Sequence, residues 1–166
     1  MDIDNLNFLP PWRDDDFSDD DDEGEEWKRK EGREAAKALY IKWRELFALI
    51  FAFTENLANE PEEGIPETHE QVTQKLIYEN AMIIAPKIMG AAVVDMYILR
   101  MENAAIIRTN ARQLMEQVSF SVLMGFADES YKKVIEQGMD EFRFLFRDWV
   151  ATFQKDEFED EWGLFI

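Results

Sequence analysis

The chain has 166 residues, 46% of them hydrophobic and 13% aromatic, a globular composition long enough to bury one core without covalent staples. It contains no cysteine, which excludes disulfides, thiol catalysis and thiolate metal sites and fits a reducing compartment. Its formal charge of −18 opposes binding to nucleic-acid phosphates or anionic membranes, both of which need clustered Lys and Arg.

The charge is concentrated at the ends. Residues 1–26 carry −11 and residues 155–166 carry −4, while residues 27–154 carry only −3. Three units follow: an acidic N-terminal extension (1–26), a helical domain (27–154) and an acidic C-terminal tail (155–166). No charged-then-apolar signal peptide opens the chain, and its most apolar window, Leu76 to Leu99, is interrupted by Glu79, Lys87 and Asp95. A lipid span wants about 20 residues nearly devoid of charge. The expectation is a cytoplasmic protein with no membrane span.

Neither extension has the composition of a plain solvated spacer. The first carries Phe8, Trp12, Phe17 and Trp27 in or beside its acid run, with Pro10 and Pro11 stiffening its start; the second carries Phe158, Trp162 and Phe165. Acids steer a flexible segment toward a basic surface, and aromatics supply the desolvated anchors that hold it there. These residues are the candidate partner-binding set. The competing reading is that they fold back and cap the protein's own bundle.

The helical pattern begins at once behind the first extension. Ala36, Leu39, Trp43, Leu46, Ile50, Phe53 and Leu57 alternate by three and four, which places them on one helical face from about Trp27 to Ala58. Tyr40, Phe47 and Phe51 widen the stripe beyond a coiled-coil seam. A loop with two prolines and a glycine, Asn59 to Pro66, ends it. Thr68 and Gln71 then form a capping box, and the next firm stop lies at Gly125 to Ser130. One straight helix across that interval would be roughly 85 Å long, so the chain must turn. The two candidate sites are Pro86, with Gly90 close behind, and a polar hairpin within Arg100 to Asn110. Asp128 caps a last helix from about Glu129 to Gln154, with Tyr131, Ile135, Gly138, Phe142, Leu145 and Trp149 on its apolar face. The predicted fold is all-α, an up-down four-helix bundle.

Catalytic chemistry finds little support. The single histidine, His69, opens a helix between Glu67 and Glu70 and should face solvent; no glycine-rich phosphate loop is present. Glu79, Asp95, Glu102 and Glu116 sit in apolar stretches and are weak metal candidates, the last three sharing a heptad position. They read more simply as a polar helix edge, with Arg112 placed to pair with Glu116. Glu79 and Asp95 are flanked by large apolar groups and, if buried, need cationic partners such as Lys87, Arg100 or Arg108. Met82, Met89, Met96, Met101, Met115 and Met124 read as core filler, with an adaptable binding surface as the alternative.

The functional expectation is a non-enzymatic binding or adaptor protein, with no cofactor. Its acidic-aromatic ends would dock on a basic protein surface or a larger assembly, a homo-oligomer included. An acidic inhibitor or immunity-type protein that mimics nucleic acid, and a carboxylate-bridged metal-binding bundle, are the alternatives from other classes.

Overall fold

A computed structural model describes residues 9–17, 26–60 and 62–166, with backbone alone for 26–28. Its long elements are α1 (Glu26–Glu55), α2 (His69–Ala92), α3 (Tyr97–Leu123) and α4 (Glu129–Ala151), and a 3₁₀ turn spans Asp14–Phe17. No strand occurs among the described residues. The architecture is an all-helical bundle.

The apolar stripe of α1 forms the centre of the core. Leu39, Trp43, Leu46, Ile50 and Phe53 are almost wholly buried, as are Tyr40 and Phe47 beside them. Each such side chain contributes about 1.5–3 kcal/mol when removed from water. The helix ends at Glu55, three residues before the expected stop, where the Asn56 side-chain amide donates to the Ala52 carbonyl at 2.6 Å. From α4, Ile135, Gly138, Phe142 and Trp149 are buried against this core, while Leu145 is half-buried and Tyr131 exposed. Gly138 permits the close approach of α1 and α4: a Cβ there would lie 2.9 Å from Leu46 Cδ1. Lys42 of α1 bonds Glu141 of α4 beside that contact.

The caps match the sequence. The Thr68 hydroxyl accepts from the Gln71 amide at 3.3 Å, and the Gln71 side chain accepts from the Thr68 amide at 2.9 Å. Asp128 accepts from the Ser130 amide at 2.8 Å to start α4. Between α3 and α4 the chain reverses through a glycine motif, with Phe126 N–H donating to Ser121 O at 2.8 Å and Gly125 N–H to Val122 O at 3.0 Å. Gly125 takes φ +77° there, a conformation that disfavours side chains.

Neither expected turn between residues 85 and 110 is where the chain reverses. It does so at residues 93–96, and both Pro86 and the stretch from Arg100 to Asn110 lie inside helices. A proline in a helix interior costs about 3 kcal/mol. Here Ile84, Ala85, Ile88 and Ala91 bury around it, which outweighs that cost and holds α2 together. Pro86 itself is on the exposed side, where water can meet a carbonyl that lost its donor. The turn is held by side chains: Arg100 Nε donates to Val94 O at 2.6 Å, and Asp95 lies 3.5 Å from Arg100 and 3.4 Å from Arg29.

The helices do not pack evenly. α2 lies against both α1 and α3, and α4 lies against α1, but α3 and α4 touch only sparsely. Among the described residues, no helix is long and apolar enough to cross a membrane.

Candidate interaction surfaces

The described part of the N-terminal extension, residues 9–17, is seated on the protein's own bundle. Arg33, Lys37 and Tyr40 succeed one another at four and three residues on one face of α1, and each engages the segment. The Tyr40 hydroxyl donates to the Pro10 carbonyl at 2.7 Å, and Lys37 Nζ donates to Asp14 at 2.8 Å. The Arg33 guanidinium sits 5.6 Å from the Phe17 ring centre. Trp12 stacks on Phe17 at 4.5 Å and tilts against Tyr40 at 5.7 Å, while its indole N–H donates to Asp14 at 3.0 Å. Leu9 and Phe17 are 7% and 6% exposed and Trp12 is half-buried, so this stretch caps α1. Pro10 and Pro11 are exposed. Phe8 and the Trp27 side chain lie outside the described residues.

Asp14 is a structural acceptor as well as a charge. Lys37, then the Trp12 indole, holds the Asp14 carboxyl below the usual aspartate range. Leu9 is the buried member that the sequence reading missed; a lone leucine before two prolines carries no periodicity to mark it.

At the same end of the bundle, a cavity of about 200 Å³ is lined by Arg29, Arg33, Arg100, Asp16, Asp95 and the Trp149 ring. Burial lowers the Arg100 pKa against the opposing pull of Asp95. Arg100 also lies 5.9 Å from the Phe153 ring centre.

The C-terminal tail leaves from this end and is organised differently. Asp156 Oδ2 accepts from the Tyr97 amide at 2.8 Å, supplying α3 with a cap that its own Met96 does not provide. Asp160 closes a turn by accepting from the Leu164 amide at 3.0 Å. Beyond these anchors the apolar side chains point outward: Trp162 is 84% exposed and Ile166 91%, with Phe158 and Leu164 about half exposed. Phe165 is half-buried with φ +55°. The two ends therefore part company, the first laid down on the bundle and the second presented away from it.

The sparse seam between α3 and α4 is an open groove of about 740 Å³. Ile107, Ala111, Met115, Met139, Phe142 and Phe146 supply its apolar surfaces, and Arg108, Arg112, Arg143 and Arg147 stand along it. Both arginine pairs are spaced by four, one helical turn, so each pair lines one edge. Because α3 and α4 run antiparallel, both pairs occupy the half toward the start of α3, and Glu116, Glu136 and Asp140 occupy the other half. Asp140 pairs with Arg143 at 2.9 Å and Glu136 with Lys132 at 3.4 Å. Among the described residues, Arg108, Arg112 and Arg147 have no carboxylate within ion-pair distance, and the expected Arg112–Glu116 pair does not form. Past Met115 the groove continues over Phe120 to Leu123, which is 82% exposed.

The carboxylates singled out as weak metal candidates are not brought together. Glu79 is exposed on α2, Asp95 is in the α2–α3 turn with its side chain 68% exposed, and Glu102 and Glu116 are exposed on α3. The described residues contain no cluster of three or more His, Cys, Asp or Glu placed to hold a metal ion. Glu79 and Asp95 are thus not the buried charges that their apolar neighbours implied: Glu79 shares the outer side of α2 with Leu76 and Tyr78 while Ile77 turns to the core, and Asp95 sits in a turn between the exposed Val93 and Met96. His69 is exposed at the first position of α2. Of the methionines, Met82, Met89 and Met115 pack partly buried against the core, while Met96 and Met124 are exposed and Met101 is intermediate.

Comparison of the chain with protein-family models, with curated proteins and with solved structures finds no match in any of the three.

Proposed function

We propose that this is a non-enzymatic binding or assembly protein that docks through its acidic-aromatic C-terminal tail on a basic, apolar-floored surface of another protein. The observation that carries the reading is the tail itself. Phe158, Trp162, Leu164 and Ile166 are displayed outward beside five carboxylates, on a segment that Asp156 roots to α3 and Asp160 folds into a turn. Large exposed apolar side chains gain most by finding a partner, and a preorganised segment loses less entropy when it does. The acids keep the tail dispersed in water and favour arginine-rich partners. The N-terminal stretch serves this function indirectly, as a brace on α1. A cytoplasmic location belongs to the same reading and rests on the cysteine-free composition.

The test keeps the full chain and changes only the displayed side chains. Phe158→Ser with Trp162→Ser should leave the helical circular dichroism unchanged and abolish association in cross-linking and affinity capture. Capture of the same partners by the variant and the parent would refute the reading.

A further inference from the structure

We infer that the groove between α3 and α4 receives the acidic-aromatic C-terminal tail of a second copy of this chain, and that reciprocal exchange of tails closes a dimer. The inference rests on the tail being a docking element and names its partner.

Charge is the first argument. On a chain of −18, this seam brings four arginines together, and three have no carboxylate partner among the described residues. Nearly matching side chains face one another in that half, so closing α3 onto α4 would press guanidinium against guanidinium. A carboxylate-bearing segment laid between them removes the repulsion and gives arginine the bidentate partner it suits best. The tail carries Asp156, Glu157, Glu159, Asp160 and Glu161 in six consecutive positions.

Polarity order is the second. Along the tail an acid block is followed by Trp162, Leu164, Phe165 and Ile166. Along the groove the arginine half, floored by Ile107, Ala111, Phe142 and Phe146, is followed by Met115, Met139, Phe120 and Leu123 with no further arginine among them. The two sequences of chemistry run in the same order. Methionines adapt their shape to an incoming aromatic, and Trp162 is the anchor the tail offers. Glu116, Glu136 and Asp140 stand in that second half and would repel a further acid, so the aromatic block belongs there.

Length is the third. Arg108 to Leu123 spans about 22 Å of helix at 1.5 Å per residue. Phe158 to Ile166 spans at most about 28 Å when extended, and less with its turn. The tail and the groove are commensurate.

Geometry favours exchange over back-folding. The tail is fixed to its own α3 start by Asp156, and its outer side chains stay 84–91% exposed at Trp162 and Ile166 rather than entering the neighbouring groove. Two copies meeting about a two-fold axis bury both tails in identical contacts, the commonest form of closed assembly. The net charge of each copy opposes this at long range, but at physiological ionic strength screening confines that opposition to roughly 8 Å.

Sedimentation velocity of the full chain over a broad concentration series, at physiological salt, tests the inference. The parent should pass from monomer to dimer, and a synthetic peptide of residues 156–166 should dissociate the dimer by competition. Trp162→Ala should weaken dimerisation by roughly thirtyfold, the loss typical of a central anchor. Arg112→Glu with Arg147→Glu should weaken it by roughly tenfold or more, and Glu159→Lys with Glu161→Lys added to that variant should restore it. Helical circular dichroism of every variant checks folding, and the charge-swap rescue distinguishes a lost contact from a damaged bundle. A parent that stays monomeric at all concentrations overturns the inference, as does a dimer indifferent to Trp162→Ala or to the arginine reversals. In either case, tail-dependent capture of a different protein would leave the proposed docking function standing, and loss of capture as well would remove both.

Discussion

Replacing Gly138 by alanine tests the closest approach in the bundle, because its sign depends on one neighbour. Alanine is favoured over glycine in a helix by about 1 kcal/mol. At position 138 the new methyl would lie 2.9 Å from Leu46 Cδ1, and the next described atom within 4 Å is Leu46 Cγ at 3.9 Å. An ordinary carbon contact is about 3.5–4.0 Å, so Leu46 must retreat by more than half an ångström. Leu46 is 1% exposed, in a core whose neighbouring α1 residues Trp43, Phe47 and Ile50 are equally buried, so there is little room. Overpacking of this kind costs about 1–3 kcal/mol, which makes Gly138→Ala destabilising by about 1 kcal/mol in the parent. In a Leu46→Ala background both crowding atoms are gone. The methyl then retains its helical advantage and fills part of the cavity, so the same change should stabilise by about 1 kcal/mol or more. Urea unfolding followed at 222 nm on the four chains gives the coupling directly, provided the slopes agree. Stabilisation by Gly138→Ala of equal size in both backgrounds would refute the close packing of α1 on α4.

Other contacts give simpler expectations. Asp156→Ala should cost about 1 kcal/mol in urea unfolding and speed amide exchange at Tyr97, because α3 loses the cap that the tail supplies. Thr68→Ala and Gln71→Ala should each cost roughly 1 kcal/mol, and the double variant less than their sum, since the two bonds of the box support each other. Asp14 has a lowered pKa in the folded protein, so its hold on Lys37 and Trp12 is complete above the ordinary aspartate value, about 4, and lost as pH falls through the lower folded value. The Trp12 indole N–H resonance should therefore shift below about pH 4 and not above it, and Asp14→Asn should flatten that titration.

Helix class, caps and the faces of α1 and α4 were legible because each is a local signal. The three-four spacing from Ala36 to Leu57 and the Thr68–Gln71 box need no knowledge of what packs on them. The reversal at residues 93–96 was not legible, and the reason is physical. Pro86 is a strong local breaker, and the Val-Val-Asp-Met stretch has no glycine or proline. The outcome is decided by partners distant in sequence: the core that holds Ile84 and Ile88, and the arginines at 29 and 100 that tie down Asp95. Both acids that looked buried were misjudged for a related reason. Glu79 shares an exposed helix side with Leu76 and Tyr78, and Asp95 lies in a turn beside the exposed Val93 and Met96, so an apolar neighbour in sequence is no guarantee of burial.

The terminal segments and the groove mark where local reading ends. Acid-aromatic composition marked both ends as candidate docking segments, with self-capping as the competing reading, but had no means to separate the end that lies on its own bundle. That distinction comes from α1, where Arg33, Lys37 and Tyr40 form a matching row for Asp14, Phe17 and the Pro10 carbonyl. The C-terminal tail meets no comparable row on its own bundle and shows its aromatic side chains to solvent. The second such row on this chain is the arginine set at 108, 112, 143 and 147, whose four-residue spacing is visible in sequence only once α3 and α4 are known to be neighbours. On either helix alone, an exposed arginine pair is ordinary. Set along one seam with an apolar floor, the four offer a concentrated positive edge that a single helix would not, and that is the surface on which an acidic and apolar segment gains most.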